Sequence, residues 1–442
     1  MICILVFLTH LIFSSPIQAQ QKVGKNPPEP QTGEISDLLR KSAELLQAEK
    51  FTDAEPIIRT ATTLSPRNSD AHNLLGILLD HRGSYAEAEK SFRTAIRLNP
   101  KAISPLANLG VLLAKNKRQT DAIRTFKLVL FLNPKHRQTI INLGVLYVDT
   151  HDFSKAVPFL KQARDFQPDS YHINLNLGRA FYNLKNFDAA EKAFQISANL
   201  AADSSESFYY LGMVAFDQNQ VKIAANYFER ALSIRSEYSP ANFMLGEILS
   251  QQKRFTEARE FYQLALNQDP TEAVRHIRLG GIYLLLSDFD NAYKIFAIAA
   301  NKFPRVAETH YLFAIAARAK GDLGLALQSL KRVLSLQPDN VQAIAMTGAL
   351  LLDRNELFEA EKLLRRAVNL NPNQFNANHD LGRLLVKNQR YAEALPLLQR
   401  ASKTIPTNAE VHYQLFLTYS RLKQKAEADR ELALFKQLSG ER

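Results

Sequence analysis

Side chains able to bind a metal, move a proton or recognise a peptide recur in this sequence at a fixed interval. His72, His276, His310 and His412 stand apart by multiples of 34 residues. No two histidines lie four apart, the spacing by which a helix aims two imidazoles at one zinc ion. The column therefore reads as a half-buried packing position with no metal. Asn108, Asn142 and Asn176 form a second column at the same interval. Stacked amides would offer donors and acceptors to an extended peptide backbone, or simply line a solvated wall. Arg179, Arg278, Arg318 and Arg383 could meet carboxylates of a ligand, or Glu247, Asp353 and Asp380 of the chain itself. Tyr182, Tyr209, Tyr210, Met213, Phe216, Phe243 and Met244 supply aromatic and thioether surface. Such surface takes up apolar side chains of a peptide or helix, or packs against neighbouring segments.

Motifs for catalysis are missing from the sequence. There is no phosphate-cradling glycine loop, no G-x-S-x-G, no H-E-x-x-H and no C-x-x-C. The one cysteine, Cys3, falls inside a leading apolar stretch, so the remainder offers no thiol for disulfides, nucleophilic attack or metal binding. An enzyme is not expected, and neither is a cofactor.

The elements that must position these columns are short helices. Ser69 to Ala102 places Leu74, Leu75, Leu78 and Leu79, then Ala88, Phe92, Ala95 and Ile96, at helical spacing. His81-Arg82-Gly83-Ser84 breaks the two runs, and Asn99-Pro100 ends the second, because proline cannot continue a helix. A lone hairpin of this size cannot bury its own apolar faces. Its neighbours repeat it. Glycine recurs every 34 residues from Gly76 to Gly382, interrupted at Ala314. Alanine recurs from Ala54 to Ala428 without a gap, and proline from Pro66 to Pro406 with Ala202 and Ser236 as gaps. Twelve units without insertion or deletion fill residues 35–442, as 35–68, 69–102 and onward in equal steps to 409–442. The small residues are expected where the two helices of a hairpin cross closely. The large ones, Phe92, Phe126, Phe194 and Phe228 among them, are expected to fill the space between units. The two junctions without proline predict altered local geometry, or helices that simply end on polar residues. The first unit (Ser42 in the glycine column) and the last (Phe416 there) are atypical, as terminal units with one face in water should be.

The period and the L-G…Y…A…F…A…P pattern, as in NLGVLYVDTHDFSKAVPFLKQARDFQP and LGRAFYNLKNFDAAEKAFQ, resemble the tetratricopeptide repeat family. The resemblance covers about nine-tenths of the chain. It implies an all-α fold, a right-handed superhelical α-solenoid of about twelve helix-turn-helix repeats, with first helices on a concave wall. Places 2, 5, 6, 9, 12 and 13 of each unit would face that groove. The groove would then hold a partner protein or peptide against Asn108, Asn142, Asn176, Arg179, Tyr182, Tyr209, Tyr210, Met213, Phe216, Phe243, Met244, Arg278 and Arg318. The asparagine column is similar to a ladder in the repeat region of protein O-GlcNAc transferases, although here it spans three units and no transferase domain follows. The lysine, asparagine and arginine pattern by which one subfamily grips chaperone C-termini is not met in any three consecutive units.

Composition narrows the partners. The formal net charge is +11. Without a dense basic run, this reads as lysine and arginine spread over a solvated surface; the alternative is a binder of an acidic polymer, a polysaccharide or nucleic acid. Residues 1–19 (MICILVFLTHLIFSSPIQA) read as a signal peptide, although no basic residue precedes the apolar run, and 20–34 as a flexible Pro-rich linker. The run is short for a membrane span. Export to a periplasmic or secreted location is expected, with tethering by an uncleaved N-terminal segment as the alternative.

Overall fold

Each boundary in the fold follows from a local signal repeated along the chain. A computed structural model describes residues 31–440, with side chains from Gly33 onward. The span read as a signal peptide and most of that read as a linker lie outside the described residues; the helix α1 (Gln31–Gln47) begins within the latter. Among the described residues there are twenty-four helices, α1 to α24 in chain order, and no strand. After α1 and α2 (Phe51–Leu64) the pattern is strictly periodic. The first helix of each unit has thirteen residues, as α3 (Ser69–His81), and the second fourteen, as α4 (Tyr85–Leu98), until α23 (Ala409–Arg421) and the slightly longer α24 (Lys425–Ser439).

The turn inside each hairpin requires one residue at φ near +60°. Glycine supplies it at Gly83 and Gly321; Lys117, His151, Lys185, Ser287 and others carry the same conformation with a side chain. The turn between hairpins is closed by backbone hydrogen bonds such as Ala102 N–H to Asn99 O. It delivers a capping side chain, Asn68, Ser170, Asn340 or Asn408, to the start of the next first helix. The junction at Ala202 keeps this arrangement. Ala201 N–H reaches Ser197 O, Ser204 N–H reaches Ala201 O, and Ser204 caps α11 (Ser205–Asp217), so the turn forms without its proline.

Packing explains the columns. The twelve alanines from Ala54 to Ala428 are all buried. A Cβ built on Gly76, Gly110, Gly178 or Gly212 would stand 2.4 to 2.6 Å from the ring of Phe92, Phe126, Phe194 or Phe228, sixteen residues later in the same hairpin. These rings therefore seat first on their own unit's glycine, which corrects the expectation that they chiefly fill the space between units. Phe194 does both, since it also stacks on Tyr210 of the next hairpin with centroids 5.0 Å apart. Ala314 replaces glycine where leucine, Leu330, replaces the ring; both are fully buried.

The chain divides into two compact units, Met1–Ile234 and Arg235–Arg442. The division falls at the second junction that lacks proline. No described helix is long and apolar enough to cross a membrane.

Candidate recognition surface

Within each compact unit, first helices of several neighbouring hairpins meet side by side through polar contacts at separations of 35, 31 and 30 residues. Thirty-five residues separate Asn73 from Asn108 (3.0 Å), Asp80 from Lys115 (2.8 Å), Tyr182 from Asp217 (2.8 Å) and Arg318 from Asp353 (3.4 Å). Thirty-one separate Glu247 from Arg278, whose Nε donates at 2.7 Å. Thirty separate Asp353 from Arg383 (2.9 Å) and Asp149 from Arg179 (4.0 Å). These offsets are what stacking 34-residue hairpins in register gives.

In the first unit the asparagine column is largely committed to this wall. Asn108 donates to the Asn73 side chain, Asn142 accepts from Gln138 (3.0 Å), and Asn176 donates to His172 O (2.8 Å) while accepting from Arg179 (2.9 Å). Asn142 and Asn176 are buried. Arg179 is held between Asn176 and Asp149.

Beside them, five of the named apolar residues lie on two neighbouring first helices. Tyr182 on α9 (Tyr171–Asn183) and Tyr209, Tyr210, Met213 and Phe216 on α11 are half-buried. Their rings rest on a fixed base: Tyr210 on Phe194, Tyr209 on Phe228 at 5.8 Å, and Tyr209 edge-on to Tyr210 at 5.2 Å. The Tyr182 hydroxyl donates to Asp217, and the Lys185 ammonium lies 5.5 Å from its ring centre. Burial, then the Asp217 carboxylate, raises the hydroxyl pKa far above the ordinary tyrosine value, so it remains a donor at physiological pH.

Phe243 and Met244 belong to the second unit. Phe243 is half-buried against Tyr262, with Arg275 over its ring, whereas Met244 is buried. Arg278 pairs with Glu247, which also accepts from the Tyr262 hydroxyl at 2.5 Å, and Arg318 and Arg383 share Asp353. The internal partners Glu247 and Asp353 are thus those named from the sequence; Asp380 meets His379 instead (3.0 Å).

The histidine column has a structural explanation. His72, His310 and His412 each place a ring nitrogen on the carbonyl six residues earlier, of Pro66, Pro304 and Pro406, at 2.9, 3.3 and 2.8 Å. Asn174 and Asn378 make the same bridge to Pro168 and Pro372. His276 differs: it faces Glu272 O and packs edge-on to Phe303.

Asp149 was not singled out from the sequence. Its side chain is 7% exposed, one oxygen has no hydrogen-bond partner, and burial raises its pKa against the opposing pull of Arg179. Its burial comes from the stacking of α9 on α7 (Arg137–Asp149), but its place is the one Asp353 holds six periods later, and Asp149–Arg179 repeats the spacing of Asp353–Arg383, so the 34-residue period carried a signal for it.

Two family models, each described as tetratricopeptide repeat, match residues 39–103 and 209–273, and residues 147–209 and 317–381. No curated protein matches significantly. Among solved structures, the chain is similar to the APC/C hetero-tetramer Cut9-Hcn1 (14% identity, 92% of this chain and 94% of that one, TM-score 0.49). It is similar also to YrrB, described as a TPR protein with an unusual peptide-binding site (18%, 43% and 98%, 0.41). A third match is pilF of Pseudomonas aeruginosa (16%, 50% and 100%, 0.44).

Proposed function

The chain belongs to the tetratricopeptide repeat family, and from that premise we propose that it is a non-enzymatic adaptor holding a partner protein or peptide along its first-helix wall. Proteins of this family generally mediate protein–protein interactions. The observation that carries the reading is the ledge of Tyr182, Tyr209, Tyr210, Met213 and Phe216 on α9 and α11. Its rings are half-buried, with Tyr210 supported by Phe194 and Tyr209 by Phe228, so apolar side chains of a partner meet a surface whose centre needs little ordering on binding. The adaptor acts after export in the periplasm or secreted space, a reading supported by the apolar stretch that opens the sequence.

A photo-crosslinking amino acid placed at Met213 tests the adaptor reading. It should capture a defined partner segment, and Tyr209→Ala with Phe216→Ala should abolish that capture while helical content is unchanged. Equal capture by a crosslinker at Phe358, or by the double variant, sinks the reading. N-terminal sequencing of the purified protein tests export: a start at Gln20 or Gln21 supports it, and an intact Met1 overturns cleavage.

A further inference from the structure

The positive charge of the chain is not spread over twelve units. Between Lys90 and Val148 there are eleven lysines and arginines and one acidic residue, Asp121, with Arg93, Lys115 and Arg118 paired to Glu89 and Asp80 just before the stretch. Asp121 is already shared by Arg118 and Arg124, each at 2.8 Å. At the centre of this stretch lies α6 (Gln119–Leu132), whose inner side buries Ala122, Phe126 and Val129. Its outer side sets Arg124, Lys127, Leu128 and Phe131 at helical spacing on one exposed face, with Lys135 just past its end. Phe131 is 82% exposed and Leu128 43%, so an aromatic ring and an aliphatic chain stand in water, ringed by cations.

We propose that this face of α6 docks peripherally on an anionic lipid membrane. The apolar pair sits at the centre of the basic face, where a bilayer would bury it in the boundary between headgroups and acyl chains, while Arg124, Lys127 and Lys135 meet lipid phosphates. A soluble polyanion would match the charge but leave Phe131 and Leu128 in water. A lipid surface satisfies both. The proposal is independent of the first-helix ledge, which lies on other helices.

The chain contains no tryptophan, so Phe131→Trp gives a single reporter at the centre of the face. With vesicles of phosphatidylcholine and phosphatidylglycerol its emission should shift to the blue and be quenched by brominated acyl chains. Phe358→Trp, at a position of similar exposure (79%) beside Glu356 and Glu359, should show neither change. Lys127→Glu with Lys135→Glu should weaken vesicle affinity by at least about tenfold, and Phe131→Ser should weaken it with helicity intact. The proposal is overturned if the indole of the Phe131→Trp variant is not quenched, or if charge reversal leaves affinity unchanged. Equal sedimentation with pure phosphatidylcholine would overturn it too, by placing the attachment elsewhere in the chain. Binding of soluble DNA without affinity for vesicles would make the face a polymer site instead.

Discussion

A carboxylate withdrawn from water is held at a cost unless both oxygens find partners, and Asp149 is in that position. Its folded-state pKa is raised, so the folded protein binds its proton more readily than the unfolded chain does. The penalty is therefore present at neutral pH and fades as pH falls below the folded-state value. Asp149→Asn should stabilise the protein by about 1 kcal/mol at pH 7, with the advantage shrinking toward pH 4; chemical denaturation at the two pH values measures it. A second residue-scale cost lies in the hairpin turns. Ser287 adopts φ 59° with a side chain attached, and Ser287→Gly should gain about 0.5–1 kcal/mol because glycine enters that region without steric penalty. A loss of stability would show that the turn is held by something other than backbone preference.

At the scale of one hairpin, the interlock of glycine with a ring sets how closely the two helices approach. A Cβ on Gly178 would lie 2.5 Å from a Phe194 ring carbon, with α10 (Phe187–Leu200) packed behind it. Gly178→Ala should therefore cost about 1–3 kcal/mol through overpacking. The chain itself holds alanine against leucine at these two places once, Ala314 with Leu330, both fully buried. Gly178→Ala combined with Phe194→Leu should recover part of the loss, and a double-mutant cycle reads the coupling. Additive effects would mean that ring and glycine do not share a space. The proline at each junction is more dispensable, because at Ala202 the same backbone hydrogen bonds and the Ser204 cap complete the turn.

Within each compact unit, contacts run between neighbouring hairpins, so stability there is close to a sum of local terms. Gly178→Ala should speed amide hydrogen exchange in residues 171–238 and leave residues 341–408 unchanged, as mass-resolved exchange would show. Uniform acceleration would imply one cooperative unit. The two proposed surfaces lie on separate elements: the ledge on the first helices α9 and α11, and Phe131 with its cations on the second helix α6.

The sequence by itself determined the hairpins. Helix period, turn residues and the 34-residue columns specify α3 to α24 almost to the residue, because these are properties of a few neighbouring side chains. It also offered Glu247 and Asp353, with Asp380, as internal partners for the arginines as a group, without saying which meets which. Only the tertiary structure decided which of those polar groups are already used. Asn176 and Arg179 are tied to each other and to α7 and α9, His72, His310 and His412 bridge to carbonyls six residues earlier, and Met244 is buried. Phe131 and Phe126 are both phenylalanines of one helix, yet one stands in water and the other is fully buried. Packing makes that difference, because exposure depends on what the neighbouring hairpins cover.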